Sequence, residues 1–131
     1  MKKSLATLLS GFMLVGSLFA FGCGSAKSDV IKVGVAVPLT GASAEDGNAI
    51  KNGVNLAVKE INAKGGINNK KVELVVADDK GDPSEAATVA NKLAQDKSVL
   101  AIVGHFNSSC TLAAAPIYNQ AGVVSVSPGS S

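Results

Sequence analysis

The feature that most limits the folds open to this chain is an alternation of short apolar segments with segments of helical periodicity. The apolar segments are rich in valine and isoleucine and almost continuously hydrophobic, as in strands covered on both faces. Strands separated by helices pair in parallel through right-handed crossovers. We therefore predict an α/β fold, with one open parallel sheet of order 2-1-3-4 and helices on both faces. The predicted strands cover residues 31–37, 71–76, 99–103 and 123–127.

Three helices are predicted between these strands. In residues 48–63 an apolar stripe recurs at helical spacing, and Gly65 follows in the position typical of a helix end. The second helix is predicted to begin after Asp82, a residue type that caps helix starts. The third is predicted to cover residues 108–121 and to end at Gly122.

Topology alone locates a candidate site. In open parallel sheets, ligands bind beyond the carboxyl ends of the strands, near the point where the strand order reverses. In the predicted sheet that point lies between the first and third strands. The loops expected at this edge are residues 40–47, 78–81, 105–109 and 128–131.

Several kinds of chemistry are poorly supported at these loops. Neither G-x-G-x-x-G nor G-K-[ST] occurs, which argues against a phosphate loop for a nucleotide. His105, Ser108 and Asp78 lie near this edge, but the G-x-S-x-G elbow of a hydrolase is absent. His105, Cys110 and Asp79 lack the spacing of metal ligands. We interpret Asp78 and Asp79 as helix caps or solvated turn residues and Cys110 as a packed thiol, and we predict no catalytic residue, metal or cofactor.

The charge balance and the aromatic content argue against a nucleic-acid partner. The 131 residues include 12 basic residues, all of them lysine, and 10 acidic residues. Lys2 and Lys3 precede the first apolar run, so the remainder of the chain is neutral. Outside that N-terminal run, only Phe106 and Tyr118 are aromatic, which leaves almost nothing for base stacking.

The N-terminus has the pattern of an export signal. A short basic start is followed by an apolar run that ends in small residues, so residues 1–22 are predicted to be a signal peptide and the protein to be exported. Cys23 follows a small residue, as in the lipobox of bacterial lipoproteins, although Ala20 stands where that motif usually has leucine. We predict that Cys23 is lipidated and anchors the protein to the membrane, with residues 23–30 as a linker. Ordinary signal cleavage after Ala26 is the alternative.

The start of the third predicted helix is the strongest candidate for ligand contact. Unpaired N–H groups and the helix dipole favour an anion there, and the short hydroxyls in "NSSCT" can add hydrogen bonds. The alternative is that Asn107 or Ser108 merely caps its own helix. The nearby residues 128–131 also offer hydroxyls at a strand end, and this favours a bound carboxylate.

Four segments of the chain carry a family resemblance: "GVNLAVKEINAKGGI", "DDKGDPSEAATVANKL", "IVGHFNSSCT" and "GVVSVSP". Together they resemble the branched-chain amino-acid (leucine/isoleucine/valine) binding proteins, the extracytoplasmic receptors of ABC importers. The resemblance implies a two-lobed protein that closes on its ligand by hinge motion. It covers essentially all of the chain after the signal. Residues 31–131 would then be an incomplete first lobe, and we interpret the chain as a truncated or partial gene product.

The resemblance also implies ligand-binding roles for particular residues. Ser108 would bind an α-carboxylate through its hydroxyl and backbone N–H, with Ser109 beside it. Ser131 would bond the same zwitterion, and the carbonyl of Gly129 would receive the ammonium group, with Ser130 between them. These five residues form the predicted contact set for a small amino-acid-like ligand.

One departure from the family pattern concerns specificity. Asp46 stands where the family often places an aromatic side chain over the ligand, so a polar amino acid, an amide or another small carboxylate becomes possible. An ABC permease in the membrane is the implied partner. A ligand-sensing domain that signals to a regulator or kinase is the alternative function, and an exported α/β hydrolase is a further one.

Overall fold

The structure, a computed structural model, describes residues 30–130 of the chain. The predicted signal peptide, Cys23 and Ser131 therefore lie outside the described residues. Strands and helices alternate along the rest of the chain. In order they are β1 (Val30–Val37), α1 (Ala44–Ala63), β2 (Lys71–Asp78), α2 (Pro83–Gln95), β3 (Val99–Gly104), α3 (Ser108–Ala121) and β4 (Val124–Val126).

The strands form one parallel sheet in the order β2-β1-β3-β4, which confirms the predicted fold class and strand order. The pairing of β1 with β2 runs without interruption from Val30 opposite Lys71 to Val37 opposite Asp78. Because β1 lies between β2 and β3, the strand order reverses beside its carboxyl end.

Alternate residues of β1 face opposite sides of the sheet. Gly34 lies against Leu93 of α2 and Ile102 of β3, so this side of the sheet meets α2. Val35 and Val37 point the other way and are fully buried, on the side where α1 packs against β1 and β2. The helices therefore cover both faces, as the continuous apolar character of β1 predicts.

The main hydrophobic core lies between the sheet and the pair α2 and α3, which pack against each other. Removing this apolar surface from water is the main force that holds the layers together. The buried members of the core are Ala36, Val89, Ala90, Leu93, Val99, Ile102, Ala114 and Tyr118.

The predicted start of α1 was wrong by four residues. The helix begins at Ala44 and not at residue 48, with Glu45 and Asp46 in its first turn. Gly47 was placed in the loop of residues 40–47, and glycine is in general unfavourable inside helices. The structure shows a packing reason for it, since a Cβ at this position would collide with the backbone carbonyl of Pro38. Asp46 consequently lies on a helix and not in a loop.

The other boundaries differ less. β2 extends two residues beyond the prediction, to Asp78, and α3 begins and ends where predicted. Asp82 caps α2 as predicted, since its Oδ1 accepts hydrogen bonds from the N–H groups of Ser84 and Glu85, both at 2.9 Å. None of the helices within residues 30–130 is long and apolar enough to cross a membrane.

The strand β4 is shorter than predicted, and it is exposed. It covers three residues, and Val124 and Val126 are 66% and 61% exposed. In the part of the chain that the structure describes, β4 pairs with β3 along one edge and has no strand along the other. An exposed edge of this kind is a site where further chain can add by strand pairing.

Candidate functional site

Asp78 joins the loop after β1 to the loop after β2 at the carboxyl edge of the sheet. Its Oδ1 accepts hydrogen bonds from the N–H groups of Leu39, at 2.7 Å, and Lys80, at 2.8 Å. Its Oδ2 accepts one from Thr40 Oγ1 at 2.6 Å. Burial by itself would raise the pKa of Asp78, but the hydrogen bond from Thr40 and those from the backbone outweigh it and lower the pKa below its ordinary value. Asp78 therefore binds two loops together.

Asp79 was interpreted as a cap or a solvated turn residue, and this was wrong because its side chain is completely buried. Its Oδ1 accepts the N–H of Gly81 at 2.9 Å, and its Oδ2 lies 2.5 Å from Nδ1 of His105. On the other side of the imidazole, Nε2 lies 3.1 Å from the hydroxyl of Tyr118. Burial, together with the nearby Asp79, raises the pKa of the Tyr118 phenol. Side chains from two loops and α3 are thus joined in a buried hydrogen-bonded row.

The backbone carbonyl of His105 connects the start of α3 to the loop after β4. It accepts hydrogen bonds from Thr111 Oγ1 at 3.1 Å and from Ser127 Oγ at 2.5 Å. Ser130 Oγ lies 2.5 Å from the Thr111 hydroxyl and 2.6 Å from the Ser127 hydroxyl. We call Thr111, Ser127 and Ser130 the hydroxyl cluster. It holds the segment of residues 127–130 against the first turn of α3.

The start of α3 carries two of the predicted ligand-binding residues. Ser108 is half-buried at the first position of the helix, and the next residue, Ser109, is exposed. Asn107 occupies the capping position, but its side chain makes no capping hydrogen bond, and its buried Oδ1 has no partner. The alternative that Asn107 caps α3 is therefore wrong. The Asn107 side chain therefore does not occupy the backbone N–H groups at the start of α3.

The remaining predicted residues lie in different surroundings. Gly129 packs closely against the ring of Phe106, and a Cβ there would overlap that ring. The hydroxyl of Ser130 is already engaged within the hydroxyl cluster, so its contact with a ligand stays a prediction. Asp46 is exposed on the first turn of α1, and Ser131 lies beyond the described residues. The structure thus brings residues 108–109 and 129–130 to one edge.

Cys110 follows these serines but faces inward. Its thiol is buried and forms no disulfide within the described residues. Burial is the main cause that raises the pKa of this thiol, and the negative charge of nearby Asp79 raises it further. This confirms the prediction of a packed thiol. Within residues 30–130, no three histidine, cysteine, aspartate or glutamate side chains form a group able to hold a metal ion.

An open groove of about 360 Å³ lies away from these loops. It runs between the ends of α2 and α3, next to the start of β3, and therefore at the amino edge of the sheet. Its lining is mostly small or uncharged. The residues are Asn91, Ala94, Gln95, Lys97, Ile117, Gln120 and Ala121.

An open α/β sheet whose polar loops meet at its carboxyl edge, beside a helix start, is the arrangement of a small-ligand-binding lobe. The comparison with protein families is more specific. The chain belongs to the periplasmic binding protein family, whose model matches residues 30–131. That family consists of solute-binding proteins located outside the cytoplasm and not of enzymes.

Relatives that match this chain are named for the binding of amino acids. The chain is 44% identical over 123 residues to Leu/Ile/Val-binding protein homolog 1 of Brucella abortus, covering 94% of this chain and 32% of the relative. It is 46% identical over 105 residues to an amino acid binding protein of Pseudomonas aeruginosa, covering 80% and 28%. The crystal structure of the branched-chain amino acid transporter substrate binding protein LivJ from Streptococcus pneumoniae, in complex with isoleucine, superposes with a TM-score of 0.75 at 40% identity. That match covers 78% of this chain and 29% of LivJ.

These comparisons confirm the family resemblance and the fold. They also show that the chain spans about a third of the length of the relatives it matches. The matched part corresponds to the sheet and loops described above, because the family model begins at Val30, the first residue of β1.

Proposed function

We propose that the chain forms part of the first lobe of an extracytoplasmic receptor that captures a small amino acid, or a similar small carboxylate, for an ABC importer. The match of residues 30–131 to the periplasmic binding protein family carries this proposal. The isoleucine in the related LivJ structure supports an amino acid as the ligand class. The placement of Ser108 and Ser109 beside residues 129–130 supports the carboxyl edge as the site.

The start of α3 is proposed to hold the carboxylate. Its backbone N–H groups point out of the helix at this edge, and the positive end of the helix dipole favours negative charge. The failure of Asn107 to cap the helix leaves this role to another oxygen. In the proposal, Ser108 and Ser109 contact the carboxylate, while Gly129, Ser130 and Ser131 contribute to binding the rest of the zwitterion.

Asp46 is proposed to influence which ligand is preferred, in favour of a polar amino acid, an amide or another small carboxylate. Asp46 is exposed on the first turn of α1 and could accept a hydrogen bond from an amide or hydroxyl group. A titration that includes asparagine, glutamine and serine besides leucine, isoleucine and valine tests this point. A preference for the aliphatic ligands that persists unchanged in Asp46→Ala would remove Asp46 from the site.

Replacing Ser108 with alanine is expected to weaken ligand binding by about 1–3 kcal/mol, the usual range for a hydrogen bond to a charged group. The measurement is calorimetric titration of the whole protein, as its gene encodes it, with the preferred amino acid of the wild type. Ser125→Ala is the matched control because Ser125 is an exposed serine in the middle of β4 and is not one of the predicted contact residues. Equal affinities of Ser108→Ala and the wild type would remove Ser108 from the site, and a wild type that binds none of the twenty amino acids would overturn the ligand class.

The exported α/β hydrolase is the less favoured function, and the buried row of side chains argues against it. A serine hydrolase needs a histidine nitrogen to activate its nucleophile. Both ring nitrogens of His105 already face partners, Asp79 and Tyr118.

A sensing function is distinguished from transport by the neighbouring genes. Permease and ATPase genes would favour transport, and a kinase or regulator gene would favour sensing.

Cys23 is proposed to carry the lipid that holds the receptor at the outer face of the cell membrane, after removal of residues 1–22 as a signal peptide. Mass spectrometry of the mature N-terminus is expected to show a diacylglyceryl mass on Cys23. Globomycin, which blocks lipoprotein signal peptidase, is expected to leave the signal attached. A mature chain that begins at Lys27 without an acyl group would show instead that cleavage occurs after Ala26.

A further inference from the structure

The row formed by Asp79, His105 and Tyr118 has no place in the proposed ligand contacts. All three side chains are at least 98% buried, since their exposed fractions are 0%, 1% and 2%. They come from the loop after β2, the loop after β3 and the last turn of α3. Buried polar groups of this kind are expensive unless each one is hydrogen-bonded, so their presence in a core of otherwise apolar residues calls for a structural reason.

The hydrogen-bond pattern assigns a proton to Nδ1 of His105. The carboxylate of Asp79 can only accept, so Nδ1 must carry the proton that it donates to Oδ2 at 2.5 Å. The burial of Tyr118 and the nearby carboxylate keep its phenol protonated. On the other side of the ring, Nε2 lies 3.1 Å from the hydroxyl of Tyr118, so every polar atom of the row has a partner.

His105 also acts through its backbone. Its carbonyl accepts the hydroxyls of Thr111 and Ser127, and the hydroxyl of Ser130 lies 3.4 Å away. This carbonyl therefore lies between the first turn of α3 and the segment of residues 127–130. The ring joins the backbone at Cα, so a ring held on both sides restrains the backbone of His105 and with it the carbonyl between the two segments.

We propose that His105 is a positioning residue for the ligand site: Asp79 and Tyr118 fix its ring, and its carbonyl sets the hydroxyl cluster between the two ligand-binding segments. Its effect on affinity rests on the proposed function, while its effect on the geometry of residues 127–130 does not. In this proposal His105 acts only through contacts within the protein and does not contact the ligand.

The first test uses the fact that the chain contains a single histidine. Long-range ¹H–¹⁵N spectra of the imidazole report on His105, whose signals are identified by their absence from the His105→Asn variant. The expected spectrum shows a proton on Nδ1, the nitrogen that faces Asp79. A neutral ring with its proton on Nε2 would overturn the assigned orientation of the row, and with it the proposal.

The second test compares two replacements of His105. In His105→Asn the side-chain amide places an N–H close to the position of Nδ1 and retains the bond to Asp79, whereas His105→Leu fills the space without any donor. Hydrogen exchange of the Ser130 amide, which donates to Ser127 Oγ at 3.2 Å, reports on the local segment. We expect exchange about 10-fold faster in His105→Leu, as for the loss of one buried hydrogen bond, and near the wild-type rate in His105→Asn.

Local exchange separates positioning from general loss of stability, because loop amides exchange through local opening and not through global unfolding. Asn91→Ala is the matched control, since it removes a hydrogen bond of 2.9 Å on the exposed side of α2. If His105→Leu fails to fold, Tyr118→Phe is used instead, because it keeps the ring packing and removes only the hydroxyl that contacts Nε2 of His105. In this variant the Ser130 amide is expected to exchange about 3-fold faster than in the wild type. Unchanged Ser130 exchange in the folded variants would overturn the proposal.

The affinity for L-leucine is then measured in the same variants. A 10-fold weaker affinity in His105→Leu that is largely restored in His105→Asn supports the proposal in full. Failure of the wild type to bind L-leucine or any other amino acid would count against the proposed function, while the exchange and imidazole spectra still decide whether His105 positions the segment. The two failures are therefore distinguishable.

Discussion

Replacing Gly47 with alanine is expected to lower the free energy of unfolding by about 2 kcal/mol, within the usual range for overpacking. The direction is unusual, because alanine in a helix interior is normally more stable than glycine by about 1 kcal/mol. The reason is the close approach of α1 to the end of β1, where a Cβ on Gly47 would overlap the carbonyl of Pro38. Pro38 is itself fully buried, so neither backbone can move away freely.

The same helix provides the control. Gly53 also lies inside α1, but a Cβ at this position would meet nothing within 4 Å. Gly53→Ala is therefore expected to raise the free energy of unfolding by about 1 kcal/mol. Urea denaturation followed by circular dichroism measures both variants. A stabilising effect of alanine at both positions would show that α1 does not approach Pro38 as closely as described.

Replacing Asp79 with alanine is expected to lower the free energy of unfolding by about 3 kcal/mol, as for other buried charged partners that are removed singly. The substitution leaves two buried donors, Nδ1–H of His105 and the N–H of Gly81, without an acceptor. It also leaves a small cavity, because the carboxylate is completely buried.

Asp79→Asn is expected to cost less than Asp79→Ala. Its amide oxygen can still accept the N–H of Gly81, and its amide N–H can donate to Nδ1 once the imidazole takes the other tautomer. Glu85→Gln removes the exposed ion pair with Lys80 and is the control, with an expected change within about 0.5 kcal/mol. Equal stabilities of the Asp79 and Glu85 variants in thermal and urea unfolding would contradict the buried row.

The order of elements could be predicted because the chain's local signals agree with the tertiary structure. The apolar character of β1 reflects burial on both faces, and the Asp82 cap marks the start of α2 as the structure confirms. The start of α1 could not be predicted in the same way. Gly47 weakens the helical signal, and only the contact with Pro38, which belongs to a different element, explains why glycine occurs there.

The edge of the sheet that holds the candidate site was predictable from topology, but its internal structure was not. His105 lies 26 positions after Asp79 and 13 positions before Tyr118 in the chain. No local sequence pattern predicts that these three side chains are in contact. The hydroxyls of Thr111, Ser127 and Ser130 were visible only as small polar residues near strand ends. One signal was available, since a lone histidine directly after a buried strand calls for buried partners.

The arrangement of the sheet, with β1 in the middle, has a consequence for how such a protein reaches its location. The first residue of β1, Val30, pairs with Lys71, and Lys32 pairs with Val99, so the central strand is synthesised well before either of its neighbours. Chains whose contacts join distant segments close large loops before they gain stability and therefore fold slowly. A nascent chain of this topology therefore stays unfolded for longer than one built of hairpins, which leaves time for export before folding.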